Sequence, residues 1–225
     1  MLNDTPIVFV VHQDASVLAS LQELIVGAGL CMQAFATAQD FLAQPRAASP
    51  SCLVLDVSLP DLSGLELQRR MATERVDMPL IFVTGCRHVP TTVQAMKAGA
   101  LEFLTTPFES CDFKSAVQNA LDRSRAVLAR EAELRPLRQR LGSLTARERD
   151  VLELVISGQL NKQVGGQLGI SEFTVKAHRG RVMRKMGAES LPHLVGITKS
   201  LRLAVTPTLT GLNARSKASQ VISFA

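Results

Sequence analysis

The chain has 225 residues and a formal net charge of +5, unevenly placed: residues 1–120 carry 12 Asp/Glu against 7 Lys/Arg, net −5, and residues 121–225 carry 8 against 18, net +10. That length exceeds one typical domain, and the split suits an acidic regulatory half joined to a basic half whose partner is a polyanion. No apolar run approaches the roughly eighteen residues of a membrane span, and the N-terminus, MLNDTPIVFVV, lacks the basic start and long apolar core of a secretory signal, so no membrane partner is expected and the cytoplasm is the expected location.

Residues 6–122 alternate short apolar runs with amphipathic stretches. Strands are predicted at Ile7–Val11, Leu30–Phe35, Cys52–Asp56, Leu80–Thr84 and Leu101–Leu104. Between them helices are predicted from a cap at Asp14 to Gly27, near 38–44, over 64–74 and over 90–98, the last opened by Pro90, which the first helical turn tolerates. A fifth helix begins near Glu109. Repeated βα units predict an α/β, flavodoxin-like domain with a five-stranded parallel sheet covered on both faces and a functional crevice at the carboxyl ends of the strands. Cys31, Cys52, Cys86 and Cys111 show no zinc or redox spacing, so reduced, mostly buried thiols are expected.

Residues 123–143 read as a charged continuation of the fifth helix, either a lever or dimerisation helix or an exposed spacer, with Pro136 breaking or kinking it and Gly142-Ser143 as a joint. The all-α domain, 144–205, opens with Thr145 and Glu148 at capping-box spacing. Val151, Leu152, Val155 and Ile156 give the first helix an apolar stripe that stops at Ser157-Gly158. Asn161 is expected to cap a second helix, with Val164 and Leu168 on its inner face and Gly169 at its end, and Ser171 to cap a third. On that third helix Val175, Val182 and Met186 share one side. The other side holds Lys176, Ala177, Gly180, Arg181 and Arg184, with Thr174 and Lys185 on its flanks. Small residues there let the backbone approach a groove floor while long cations reach phosphates or guanine edges. A fourth helix follows from Leu191, and the tail, 206–225, is small, polar and without periodicity, so disorder is expected.

Thr145 to Glu148, Asn161-Lys162 and the Thr174 to His178 run TVKAH resemble the LuxR-type helix-turn-helix that ends FixJ- and NarL-like response regulators. LVLDVSLPDLSGLELQ at 53–68, Thr84-Gly85, AMKAGALEFL at 95–104 and Pro107-Phe108 likewise resemble a receiver domain, with FixJ- and StyR-like members closest in flavour. The resemblance makes Asp56 the phosphoacceptor and Thr84 and Phe103 the switch residues. It turns Lys176, Ala177 and Gly180 toward bases and gives Lys162, Thr174 and Arg181 to the DNA backbone, with Asn161 and Arg184 in the same interface. Gly180 takes the place of one family lysine.

Three positions depart from that pattern. His12 and Gln13 stand where the family has two adjacent acids for Mg²⁺, and Thr106 stands where it has a lysine for the phosphoryl group. Mg²⁺ wants oxygen ligands in near-octahedral array, and a hydroxyl cannot neutralise a phosphoryl charge. Because phosphoryl transfer depends on positioning and charge neutralisation, these losses are expected to cost on the order of a thousandfold in rate. The expectation is a degenerate receiver, with no cofactor and no metal. Two sharper readings of His12 are a built-in cation paired with Asp56, or a metal ligand together with His88; Cys86 is weighed as a redox sensor.

Three functions remain open: a DNA-binding transcription regulator with a phosphorylation-independent receiver, the same regulator driven by a sensor histidine kinase, and a protein-binding module that titrates a partner. Nothing points to an enzyme, since no phosphate-cradling loop or catalytic triad pattern is present in the sequence. Promoter DNA, a second copy of the chain and RNA polymerase are the expected partners, the second copy because one short recognition helix reads few base pairs.

Overall fold

The structure, a computed structural model, describes residues 5–45, 47, 49–85 and 88–205. The chain divides into two compact units, Met1–Arg130 and Glu131–Ala225. In the first, β1 (Ile7–Val11), β2 (Cys31–Phe35), β3 (Ser51–Leu55), β4 (Leu80–Thr84) and β5 (Glu102–Thr105) form one parallel sheet in the order β2-β1-β3-β4-β5. The helices are α1 (Ala15–Gly27), α2 (Ala38–Leu42), α3 (Gly64–Glu74), α4 (Val89–Lys97) and α5 (Ser110–Gly142).

Strand alternation builds the two cores. Val8 and Val10 point to the side where Leu21 and Ile25 of α1 and Phe113, Val117 and Leu121 of α5 are buried. Phe9 and Val11 point to the other, against Phe41 of α2, Leu67 and Met71 of α3 and Phe82 of β4. Each such apolar side chain taken from water contributes about 1.5–3 kcal/mol. The strand order reverses direction between β1 and β3, the point in a doubly wound sheet where a crevice opens at the carboxyl ends. Val11 pairs with Leu55 there, so His12 and Asp56 emerge side by side.

Several expectations need correction. Helix α2 ends at Leu42 rather than near residue 44, and the Gln44 carbonyl instead accepts from Arg75 Nη2 at 2.6 Å. Cys31 and Cys111 are exposed, and only Cys52 of the described thiols is buried; burial pushes its pKa up to about 12. Pro136 lies inside α5 without ending it. It removes one backbone donor at a cost of about 3 kcal/mol, while Leu134, Leu137 and Leu141 pack into the C-terminal core, and at about 1.5–3 kcal/mol for a fully buried leucine that packing holds the last turns. Part of the segment expected as a spacer is therefore core. The tail 206–225 and Cys86 lie outside the described residues.

The second unit adds α6 (Ala146–Ile156), α7 (Asn161–Leu168), α8 (Glu172–Met186) and α9 (Leu191–Val205). Helix α8 is the axis of its packing. Val175 joins Val151, Val155 and Val164 in one cluster, and Val182 and Met186 join Leu152, Leu194 and Leu134 in another. No helix among the described residues is long and apolar enough to cross a membrane.

Candidate functional site

Asp56 follows the last residue of β3, is 6 % exposed, and its backbone N–H donates to Val11 O at 3.1 Å. Helix α3 starts against it. Gly64 donates to Val57 O at 2.9 Å, and a Cβ on Gly64 would collide with the Asp56 carbonyl oxygen and crowd Phe82, so only glycine lets the helix begin there. Asp61, in the loop between, accepts from Ala38 N at 3.1 Å and Gln39 N at 2.9 Å, tying the loop to the first turn of α2. Sequence reasoning missed that tie, because the two partners lie 22 to 23 residues apart.

The residues facing Asp56 carry little charge. His12 Nε2 lies 3.8 Å from Asp56 Oδ2, and His12 Nδ1 accepts from Asp14 N at 3.0 Å. With Nδ1 taken by the Asp14 N–H, Nε2 is the ring nitrogen left to carry a proton toward Asp56. The built-in cation weighed for His12 does not fit this geometry, since a second ring N–H would face the Asp14 N–H. Gln13 is exposed, with Nε2 donating to Ser58 O at 3.2 Å. Asp14 caps α1, accepting from Ser16 N at 2.8 Å and the Ser16 hydroxyl at 2.7 Å, and the Ser16 hydroxyl above all holds its carboxyl below the usual range.

Thr106 and Thr84 complete the crevice: Thr106 N donates to Thr84 O at 3.0 Å, and Thr84 is buried. Phe103 is half-buried, its ring 5.6 Å from that of Phe82. Asp56 Oδ1, buried and without a hydrogen-bond donor among the described residues, is the one group here that suits a cation. The rest of the set does not fit Mg²⁺: His12 turns an N–H inward, Gln13 points to Ser58, and no group of three His, Cys, Asp or Glu among the described residues could hold a metal. His88, the other histidine weighed as a ligand, is exposed and bonded to Thr91 Oγ1 at 3.0 Å.

In the C-terminal unit the capping box forms as the spacing predicts: Glu148 N donates to Thr145 Oγ1 at 3.3 Å and Thr145 N to Glu148 Oε2 at 2.9 Å. Asn161 is not the cap of α7 but its first residue, after Leu160. Gln163 reaches back to the start of the helix, its Oε1 accepting from Leu160 N at 2.8 Å, and Asn161 Oδ1 accepts from Arg179 Nη1 of α8 at 3.1 Å. Gly169, with φ +64°, ends α7 in the left-handed region. Gly165 lets α7 close on the turn, since a Cβ would meet Ile170 O at 2.8 Å. Ser171 then caps α8, accepting from Thr174 N at 3.1 Å.

Helix α8 leaves Lys176, Ala177, Gly180, Arg181 and Arg184 exposed, with Thr174 half-buried at its start; Lys162 of α7 is also exposed. Lys185, expected on the flank of this face, turns inward. Its Nζ donates to Glu148 Oε2 at 2.6 Å and to Ser143 O at 3.0 Å, and that bond with the Thr145 N–H holds the Glu148 carboxyl down at about 2. Phe173 was not singled out from the sequence, yet it is 82 % exposed on the same side of α8. The signal was its spacing to Ala177, Gly180 and Arg184, one helical stripe that charge alone does not reveal.

Comparison with known proteins matches both units. Residues 8–118 match the response regulator receiver domain, and residues 142–198 match the bacterial regulatory proteins of the luxR family. The chain is 41% identical over 202 residues to Nodulation protein W of Bradyrhizobium diazoefficiens, covering 90% of this chain and 89% of that one. It is 38% identical over 188 residues to the transcriptional regulatory protein FixJ of Rhizobium meliloti, covering 84% and 92%. The solved structure of the response regulator StyR aligns with a TM-score of 0.71 at 42% identity over 87% of this chain and 98% of that one.

Proposed function

The chain belongs to the FixJ- and StyR-like response regulators, transcription factors that join a receiver domain to a LuxR-type helix-turn-helix, and from that premise we propose that it regulates transcription without phosphorylation of Asp56 as its switch. The observation behind this reading is the His12 ring, which sets its Nε2 3.8 Å from Asp56 where a cation-binding carboxylate would be needed. Thr106 adds only a hydroxyl. With neither metal cage nor lysine, the charge on a transferring phosphoryl group is unmatched. The receiver then acts through protein contacts or another input, needs no cofactor, and works in the cytoplasm beside RNA polymerase.

Incubating the full chain with carbamoyl phosphate, with and without Mg²⁺, tests the reading by intact mass. No label in either condition is the expected result. A second reading, control by a sensor histidine kinase, is supported by the family and by the open Asp56 Oδ1; stoichiometric Mg²⁺-dependent label on Asp56 would establish it in place of the first.

The proposed partner is promoter duplex DNA, bound through the exposed face of α8 with Lys162 and Thr174 at its edges. Binding as a homodimer is supported in the receiver by Val89, Val93 and Met96, 70 %, 44 % and 43 % exposed along α4, an apolar stripe suited to a second copy.

A further inference from the structure

Phe173 is the second residue of α8, after the Ser171 cap, and is more exposed, at 82 %, than any other large hydrophobic side chain among the described residues. At about 100° per residue it lies in line with Ala177, Gly180 and Arg184, directly opposite the buried Val175 and Val182. A helix-turn-helix sets the N-terminal residues of its second helix against base edges, so Phe173 occupies the end of the helix that goes deepest. Ala177 is small, and beside Gly180 a Cβ would meet nothing within 4 Å, so the ring has a shallow floor next to it rather than competing side chains.

We propose that Phe173 is a specificity-determining residue whose ring packs on the 5-methyl group of a thymine in each half-site. The inference rests on the DNA-binding reading above. A phenyl ring has no hydrogen-bonding group and cannot read the donors and acceptors of the major groove; the one apolar feature that the groove presents is the thymine methyl. Lys176 and Arg181, on either side of the stripe and exposed, hold the helix to phosphates or guanine while the ring adds a contact indifferent to salt.

The full chain is used to select sites from a randomised duplex library, and each thymine of the enriched motif is then replaced singly by uracil, which keeps every pairing group and lacks only the methyl. At one thymine per half-site the parent should bind about fourfold more weakly, the worth of one buried methyl, while Phe173→Ala binds both duplexes alike. Phe173→Leu, which keeps some apolar surface, should retain part of the discrimination and carries the comparison if the alanine variant binds too weakly to measure. Equal sensitivity to uracil in parent and variants at every thymine overturns the assignment. If the parent enriches no motif and retains no duplex, the DNA-binding reading fails first, and the role of Phe173 with it.

Discussion

Lys185 Nζ stands 2.6 Å from Glu148 Oε2, joining the recognition helix α8 to the first turn of α6 through a carboxylate that is only 3 % exposed. The same oxygen accepts from Thr145 N at 2.9 Å. One acid therefore closes a capping box and ties down the second helix of the helix-turn-helix.

The first prediction concerns acid. Because the Glu148 carboxyl is held at about 2 against an ordinary 4.5, its contribution is complete above about pH 4.5 and is lost as the pH falls toward 2. Thermal melts of the full chain should show the parent losing midpoint across that window more steeply than Glu148→Gln, which has no proton to take up there. Lys185→Ala should melt lower than the parent at neutral pH, since it leaves the buried carboxylate short of its cation. Parallel pH profiles for parent and Glu148→Gln would remove the role assigned to this pair.

Asp56→Asn should leave promoter affinity and transcription close to the parent's. Conversely, the triple variant His12→Asp, Gln13→Asp, Thr106→Lys should acquire Mg²⁺-dependent labelling by acetyl phosphate, faster than the parent by on the order of a thousandfold. Loss of both label and promoter activity in Asp56→Asn, starting from a parent that labels readily, would return the chain to kinase control.

Lys176→Ala and Arg181→Ala should weaken DNA binding and leave the melting curve unchanged, because both side chains are exposed on a packed helix. A lost phosphate contact lowers the slope of log K against log salt by about one for all sequences. A lost base contact instead relaxes discrimination at one position by about 1–3 kcal/mol. Fluorescence anisotropy at four salt concentrations separates the two, and unchanged affinity in both variants would move the interface elsewhere.

A footprint should protect two half-sites about one helical turn apart. Val93→Glu, which places a charge in the exposed stripe of α4, should reduce self-association in sedimentation and weaken binding to the paired site more than to a single half-site. Protection of one half-site by a monomer would contradict this.

The elements were legible where residue pattern and local bonds agree. The alternation of Val8, Phe9, Val10 and Val11 set both faces of the sheet, and Thr145 with Glu148 set the start of α6. Where a distant group competes for a side chain, the sequence misleads. Lys185 lies about 120° from the centre of the exposed face at about 100° per residue, near enough to read as a flank, and Glu148, 37 residues earlier, draws it in. Asn161 reads as a cap, yet the helix starts one residue earlier, with Gln163 reaching back to the Leu160 N–H and Asn161 turned to Arg179. Phe173 escaped notice because an aromatic in a helix is ordinarily sought in the core.

Gly64 carries the most general consequence. The absence of a side chain lets α3 begin against the Asp56 carbonyl, so the backbone that presents Asp56 is fully formed whatever side chains stand at 12, 13 and 106. On the reading proposed above, what separates this pocket from a working phosphorylation site is not architecture but three side chains, a distance that single-codon changes cover in either direction without rebuilding the fold.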